Sequence, residues 1–173
     1  MGRDGRTEAC EQCRLLPLFR ECQGRLSGKD EILGVHAKTD PLATEGKAAM
    51  VKLLQDITAV IDSSGLCLFV ALAPNFLYEE IQSLINSASG AGYTVEDLVS
   101  IGERISNLER LFNLKAGLTK ADDTLPKRLL EEPGGPKGDV CRLNEMLPEY
   151  YQLRGWDESG VPTTDKMSGL GLE

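Results

Sequence analysis

The strongest constraint on the fold is the run Met50, Val51, Leu53, Leu54, Ile57, Val60 and Ile61, apolar residues recurring at helical spacing and covering more than one narrow stripe. A helix with so broad an apolar face has to bury most of its girth, so the rest of the chain must pack around it. Thr44 and Glu45 offer an N-terminal cap and a favourable dipole charge, which places this helix at about 45–62. It delivers Asp62 at its C-terminal end, where Asp62-Ser63-Ser64-Gly65-Leu66-Cys67 brings a carboxylate, a glycine and a thiol close together. Taken alone, this stretch reads as ordinary capping followed by core filling. The same groups have other uses. A carboxylate accepts hydrogen bonds from paired N–H donors such as those of an aminopyrimidinone ring, a glycine lets backbone approach a flat ligand, and a thiolate binds iron.

Residues 66–73 stay apolar on every side and fit a buried helical turn or a short strand, bounded by Pro74. A second helix is expected at about 75–88, with Phe76, Leu77, Ile81, Leu84 and Ile85 on one stripe and Asn86 to Gly92 as its stop. The third opens on Thr94 and Asp97, spaced as a capping box, and carries Leu98, Val99, Ile101, Ile105, Leu108, Leu111 and Phe112 over about 95–115. Glu103, Arg104, Glu109 and Arg110 read most simply as solvated faces or helix ion pairs. Residues 117–141 form a long irregular segment in which Asp122 and Asp123 favour turn formation over cation binding. A fourth helix at about 144–154 is capped by Asn144 and ended by Gly155, with Trp156 as a large anchor, and a short last helix follows Thr163 at about 164–170. Strand signals are sparse and no repeat is visible. The pattern predicts a mainly α, irregular helical domain with few or no strands.

With 173 residues and 41% hydrophobic content, the chain is long enough for one sizeable core. A net charge of −8 opposes a nucleic-acid footprint, which needs clustered Lys and Arg. No apolar run has transmembrane length and residues 1–30 lack the apolar centre of a signal peptide, so a cytoplasmic protein without a membrane partner is expected. Five cysteines in such a chain favour free thiols or metal ligands over a disulfide framework. Cys10-x-x-Cys13 with Cys22 lacks a second C-x-x-C pair, and His36 is the lone histidine. A flexible N-terminal segment over 1–30 with incidental thiols is therefore preferred to a zinc site.

Several separate blocks carry a family resemblance. They are Glu31-Ile32-Leu33-Gly34, Asp40-Pro41 with Thr44-Glu45-Gly46-Lys47-Ala48, Gln55-Asp56, the Asp62-to-Cys67 run, Glu103-Arg104 and Asn107-Leu108-Glu109-Arg110-Leu111-Phe112-Asn113. Asp122-Asp123-Thr124-Leu125-Pro126 and Glu149-Tyr150-Tyr151 with Arg154-Gly155-Trp156 complete the set. In order and spacing, residues 31–173 resemble the C-terminal helical region of the tungsten-pterin aldehyde ferredoxin oxidoreductases. The resemblance implies that Asp62 accepts hydrogen bonds from a pterin ring, that the Gly65-Leu66 backbone lies against it, and that Cys67 is one thiolate ligand of a [4Fe–4S] cluster. It implies a tungsten-bis-pterin cofactor, oxidation of an aldehyde to a carboxylic acid, and ferredoxin as the electron acceptor. The protein would position while the cofactor reacts.

The departures from the family pattern shape the expectation equally. Family members are several times longer, and their N-terminal portion supplies a second pterin-binding run and the other cluster cysteines. Cys10, Cys13 and Cys22 do not match that cysteine spacing, residues 1–30 do not resemble the family, and no catalytic histidine or glutamate can be placed. The resemblance thus implies a truncated gene product or a changed junction, with the N-terminal half of the enzyme as a necessary partner. By itself the chain is expected to be inactive and to retain neither cofactor, since one thiolate cannot hold a four-iron cluster. The alternative is a catalytically silent helical remnant with a structural or interaction role.

Overall fold

In the computed structural model, which describes residues 44–67, 78–133 and 140–172, the broad apolar run forms helix α1 (Lys47–Ser64). Five more α-helices follow among the described residues: α2 (Tyr78–Ser89), α3 (Val95–Lys115), α4 (Lys127–Glu131), α5 (Leu143–Arg154) and α6 (Thr164–Leu170). A single 3-10 turn covers Lys120–Asp122. The described residues contain no strand, only an isolated antiparallel bridge between Trp156 and Pro162. The mainly helical expectation is therefore met. The apolar segment 68–73 lies outside the described residues.

Helix α1 packs chiefly on α3 and α5, with α2 closing one side. Its C-terminal half supplies Ile57, Val60 and Ile61 to an apolar core completed by Ile81 of α2 and Leu98 of α3, with Leu54, Leu66, Tyr78, Ile85 and Ile101 packed around them. Each such buried aliphatic side chain contributes about 1.5–3 kcal/mol. The approach of α1 to α3 is set by Gly102. A Cβ built there would stand 2.2 Å from the carbonyl oxygen of Asp56, closer than any side chain can come. Glycine weakens a helix interior by about 1 kcal/mol relative to alanine. Here that cost is offset by letting two helix backbones touch.

The helix ends follow local chemistry, with some differences from expectation. Thr94 and Asp97 form the expected capping box of α3, and Thr163 caps α6 through its side chain. Gly155 ends α5 in the left-handed conformation. By contrast, the N-cap of α1 is Gly46 at φ +72°, and Thr44 contributes its carbonyl, which accepts from the Lys47 N–H at 3.3 Å. Helix α5 starts at Leu143 after Arg142, so Asn144 lies inside the helix and does not cap it. The described first part of the segment, 117–133, is less irregular than its sequence indicates, because Thr119 and Asp122 form a second capping box and α4 follows Pro126. Leu108 and Phe112, expected on the buried stripe of α3, are 55% and 64% exposed.

The contact at Gly102 predicts that Gly102→Ala destabilises the chain by about 1–3 kcal/mol, the usual cost of forcing extra volume into a closed contact. Chemical denaturation should show the loss, and Ser100→Ala on the exposed face of the same helix should change little.

Candidate functional site

The expected site residues sit together at the C-terminal end of α1. Asp62 lies in the last turn with an exposed side chain, and its carbonyl accepts from the Gly65 N–H at 3.3 Å. Gly65 is the C-cap at φ +73°, a conformation that side chains with a Cβ rarely adopt, and the space where its Cβ would stand is open. Leu66 turns back toward the core, while Cys67 is exposed as a free thiol. The donor set is thus one carboxylate and one thiol facing outward from a rigid helix end, beside a glycine that leaves room for a flat group. A carboxylate accepts hydrogen bonds from paired N–H donors and a thiolate can bind iron, so the chemistry of the donor set matches the groups expected there. No group of three or more His, Cys, Asp or Glu side chains that could hold a metal ion occurs among the described residues. Cys10, Cys13, Cys22 and His36 lie outside them.

A second constellation, unexpected from the sequence, lies one and a half turns back along the same helix. Asp56 is 2% exposed and Arg154, at the end of α5, is fully buried. The Arg154 guanidinium pairs with Asp56 Oδ1, donates to Gln55 Oε1 at 2.7 Å and reaches the Lys52 carbonyl at 3.5 Å. Its Nε donates to the Tyr150 hydroxyl, which in turn donates to Gln55 Oε1 at 2.6 Å. From α3, Ser106 donates to Asp56 Oδ1 at 2.9 Å. Lys52 bridges Asp56 Oδ2 at 3.0 Å and Glu103 at 2.9 Å, and Lys166 of α6 holds the same Glu103 oxygen at 2.8 Å. Burial pushes the Glu103 carboxyl up, but hydrogen bonds from Lys166 and Lys52 outweigh it and hold the group below its ordinary range. Nearby, the buried Tyr78 hydroxyl lacks a hydrogen-bond partner among the described residues, and burial, with Asp56 adding to it, raises its pKa to about 12.

The third constellation involves a residue expected at the surface. Arg110 is 2% exposed. It grips Asp123 with both terminal nitrogens at 2.7 and 2.6 Å, donates from Nε to the Gly160 carbonyl at 2.8 Å, and lies 4.8 Å over the Trp156 ring. The Tyr151 hydroxyl also donates to Asp123, and burial together with that bond raises its pKa. Trp156 donates to the fully buried Asn107 at 2.8 Å. Asp122 and Asp123 therefore have separate duties. Asp122 caps the 3-10 turn as a turn former, and Asp123 locks α3 to the C-terminal segment. Ordinary helix periodicity could not reveal this. The available signals were a charged Asp56 within a broad apolar helix face and arginines beside the tyrosines and tryptophan of the last third.

A family model described as aldehyde ferredoxin oxidoreductase, domains 2 and 3, matches residues 12–172, taking in part of the stretch before Glu31. The tungsten-containing aldehyde ferredoxin oxidoreductase of Pyrococcus furiosus is 52% identical over 147 residues, covering 82% of this chain and 24% of that protein. The enzyme of the same name from Thermococcus kodakarensis is 50% identical over the same share of each. A more distant relative, the aliphatic sulfonate oxidoreductase WOR-like subunit of Pyrococcus furiosus, is 32% identical over 150 residues, or 80% of this chain and 23% of its own length. The chain thus spans about a quarter of the curated relatives it matches. Among solved structures, the active-site complex BamBC of benzoyl coenzyme A reductase with 1,5-dienoyl-CoA aligns with a TM-score of 0.64 at 20% identity. That alignment covers 88% of this chain and 25% of that one, and it shows a shared fold.

Arg154→Met leaves Asp56 charged and buried without its main partner, and a loss of about 3–5 kcal/mol in unfolding free energy is expected. The Glu103 shift gives a pH signature. Because its folded pKa is lowered, its contribution is complete above the ordinary glutamate value of 4.5 and disappears as pH falls through the lower folded value. Thermal melts between pH 6 and pH 3 should show a shallower acid decline for Glu103→Gln than for the parent chain.

Proposed function

The chain belongs to the aldehyde ferredoxin oxidoreductase family, and on that premise we propose that it is the C-terminal helical part of a tungsten-pterin, iron–sulfur oxidoreductase. The reaction would be oxidation of an aldehyde to a carboxylic acid, with electrons leaving through a [4Fe–4S] cluster to ferredoxin in the cytoplasm. The observation that carries this reading is the outward-facing end of α1. Asp62 and Cys67 are exposed at the tip of a helix whose body is otherwise held on several sides.

In this reading Asp62 accepts hydrogen bonds from the paired N–H groups of a pterin, as an ionised carboxylate does for any such donor pair. The open side of Gly65 lets the Gly65-Leu66 backbone lie along the ring. Cys67 would supply one thiolate to iron, beside Leu66, which packs on the apolar core. Bound tungsten-bis-pterin supplies the two-electron chemistry. One carboxylate and one thiolate form only one wall of such a site. Activity therefore requires a polypeptide that brings the remaining cluster thiolates and the second pterin contact.

The test is complementation. The chain is produced together with the N-terminal three quarters of the Pyrococcus furiosus relative, and the purified complex is analysed for tungsten, iron and aldehyde-dependent reduction of a viologen dye. Both metals and the activity are expected in the complex, with neither metal at stoichiometric level in the chain alone. Cys67→Ser should lower the iron content of the complex. A stable complex without metals, or iron unaffected by Cys67→Ser, overturns the reading.

A further inference from the structure

We infer that Arg154, acting through Asp56, is a positioning residue that fixes the register of α1 and thereby the placement of the Asp62-to-Cys67 end. The C-terminal half of α1 is held by aliphatic contacts among Ile57, Val60, Ile61, Ile81 and Leu98. Such contacts are non-directional and scale with buried area, so on the broad apolar face of α1 they do not by themselves single out one register. The N-terminal half is different. Arg154 reads three consecutive features of one helix face: the Lys52 carbonyl, the Gln55 amide oxygen and the Asp56 carboxylate. Rotating α1 by one residue, about 100°, would take all three away from the guanidinium fork at once.

An independent contact fixes the same residue from the opposite helix. The Asp56 carbonyl fills the space that Gly102 leaves, and Ser106 one turn further along α3 donates to the Asp56 carboxylate. A slide of one helical turn, about 5.4 Å, would place a side chain of α3 against that carbonyl and leave Arg154 facing other atoms. Asp56 is thus held by its side chain from both α5 and α3 and by its backbone from α3. Between Asp56 and Ser64 the helix is unbroken, so any displacement at Asp56 is carried directly to Asp62. Buried ion pairs contribute little net stability compared with apolar replacements, and a role in registry accounts for keeping one here. The consequence for the cofactor rests on the function proposed above, whereas the registry itself does not.

The test separates registry from stability. In a background with all five cysteines changed to serine, nitroxide labels are placed at S63C, in the exposed last turn of α1, and K115C, in the last turn of α3. Pulsed electron paramagnetic resonance then reads their separation. The parent chain should give one narrow distance. The paired substitution D56L/R154M removes both buried charges, so it should melt within about 5 °C of the parent while its distance distribution broadens or splits by up to about 5 Å. R154K keeps a charge beside Asp56 but not the fork to Gln55, and it should broaden the same distribution if the paired variant fails to fold. A narrow, parent-like distance in whichever of these folds overturns the inference. In the metal-loaded complex, D56L/R154M should alter the line shape of the reduced cluster at undiminished iron content. The effect of Cys67→Ser on iron, read in the complex with its other cysteines intact, tests the cofactor reading separately, because the labelled background already lacks Cys67 and its distances do not depend on that reading.

Discussion

The ion pair between Asp56 and Arg154 is the contact on which the rest of the arrangement depends. It joins the first described helix to the fifth, and through Lys52, Glu103, Ser106 and Lys166 it brings α3 and α6 into the same network. Desolvating two charges costs several kcal/mol each unless their remaining donors and acceptors are filled. Here they are filled from three helices, α1, α3 and α5, so displacing any one of these helices leaves a buried charge incompletely paired. That makes the polar half of the domain cooperative in a way that its apolar half is not.

The two halves of α1 therefore do different work. Beyond Asp56, burial of Ile57, Val60 and Ile61 supplies adhesion. Before it, Lys52 and Gln55 supply orientation. A similar division recurs around Trp156, which gives buried area while Arg110 gives direction by gripping Asp123 and the Gly160 carbonyl. A Cβ on Gly160 would stand 2.3 Å from the Arg110 guanidinium, so the turn and the arginine specify one another. The outcome is a frame held from several sides, at one end of which Asp62 and Cys67 are exposed.

Much of this was legible in the sequence. Helical periodicity and capping chemistry located α3 over Val95–Lys115 and α6 over Thr164–Leu170, because a Thr cap and a following stripe act locally. The helix end at Gly65 was legible for the same reason. What could not be read was pairing at long range. Arg110 lies on a helix whose charges look solvated, and only the folded chain brings Asp123, Gly160 and Trp156 to it. Gly102 has no side chain to mark it in the stripe of α3, although it is the point where two backbones meet. Leu108 and Phe112 matched the stripe and are nonetheless exposed, since the packed face of α3 is centred on Leu98, Gly102, Ser106 and Arg110.

The sequence distance spanned by the central pair has a consequence for how the chain folds. Asp56 and Arg154 are 98 residues apart, and Tyr150 reaches Gln55 across 95. Aliphatic residues of α1 can begin to collapse onto α2 and α3 as soon as those helices exist, but the Asp56 carboxylate has to keep its water until α5 arrives with its guanidinium. During synthesis from the N-terminus, α1 thus passes through a stage in which one half is ready to be buried and the other is not. Final docking of that helix, and with it the placement of its tip, is deferred until α5 has emerged.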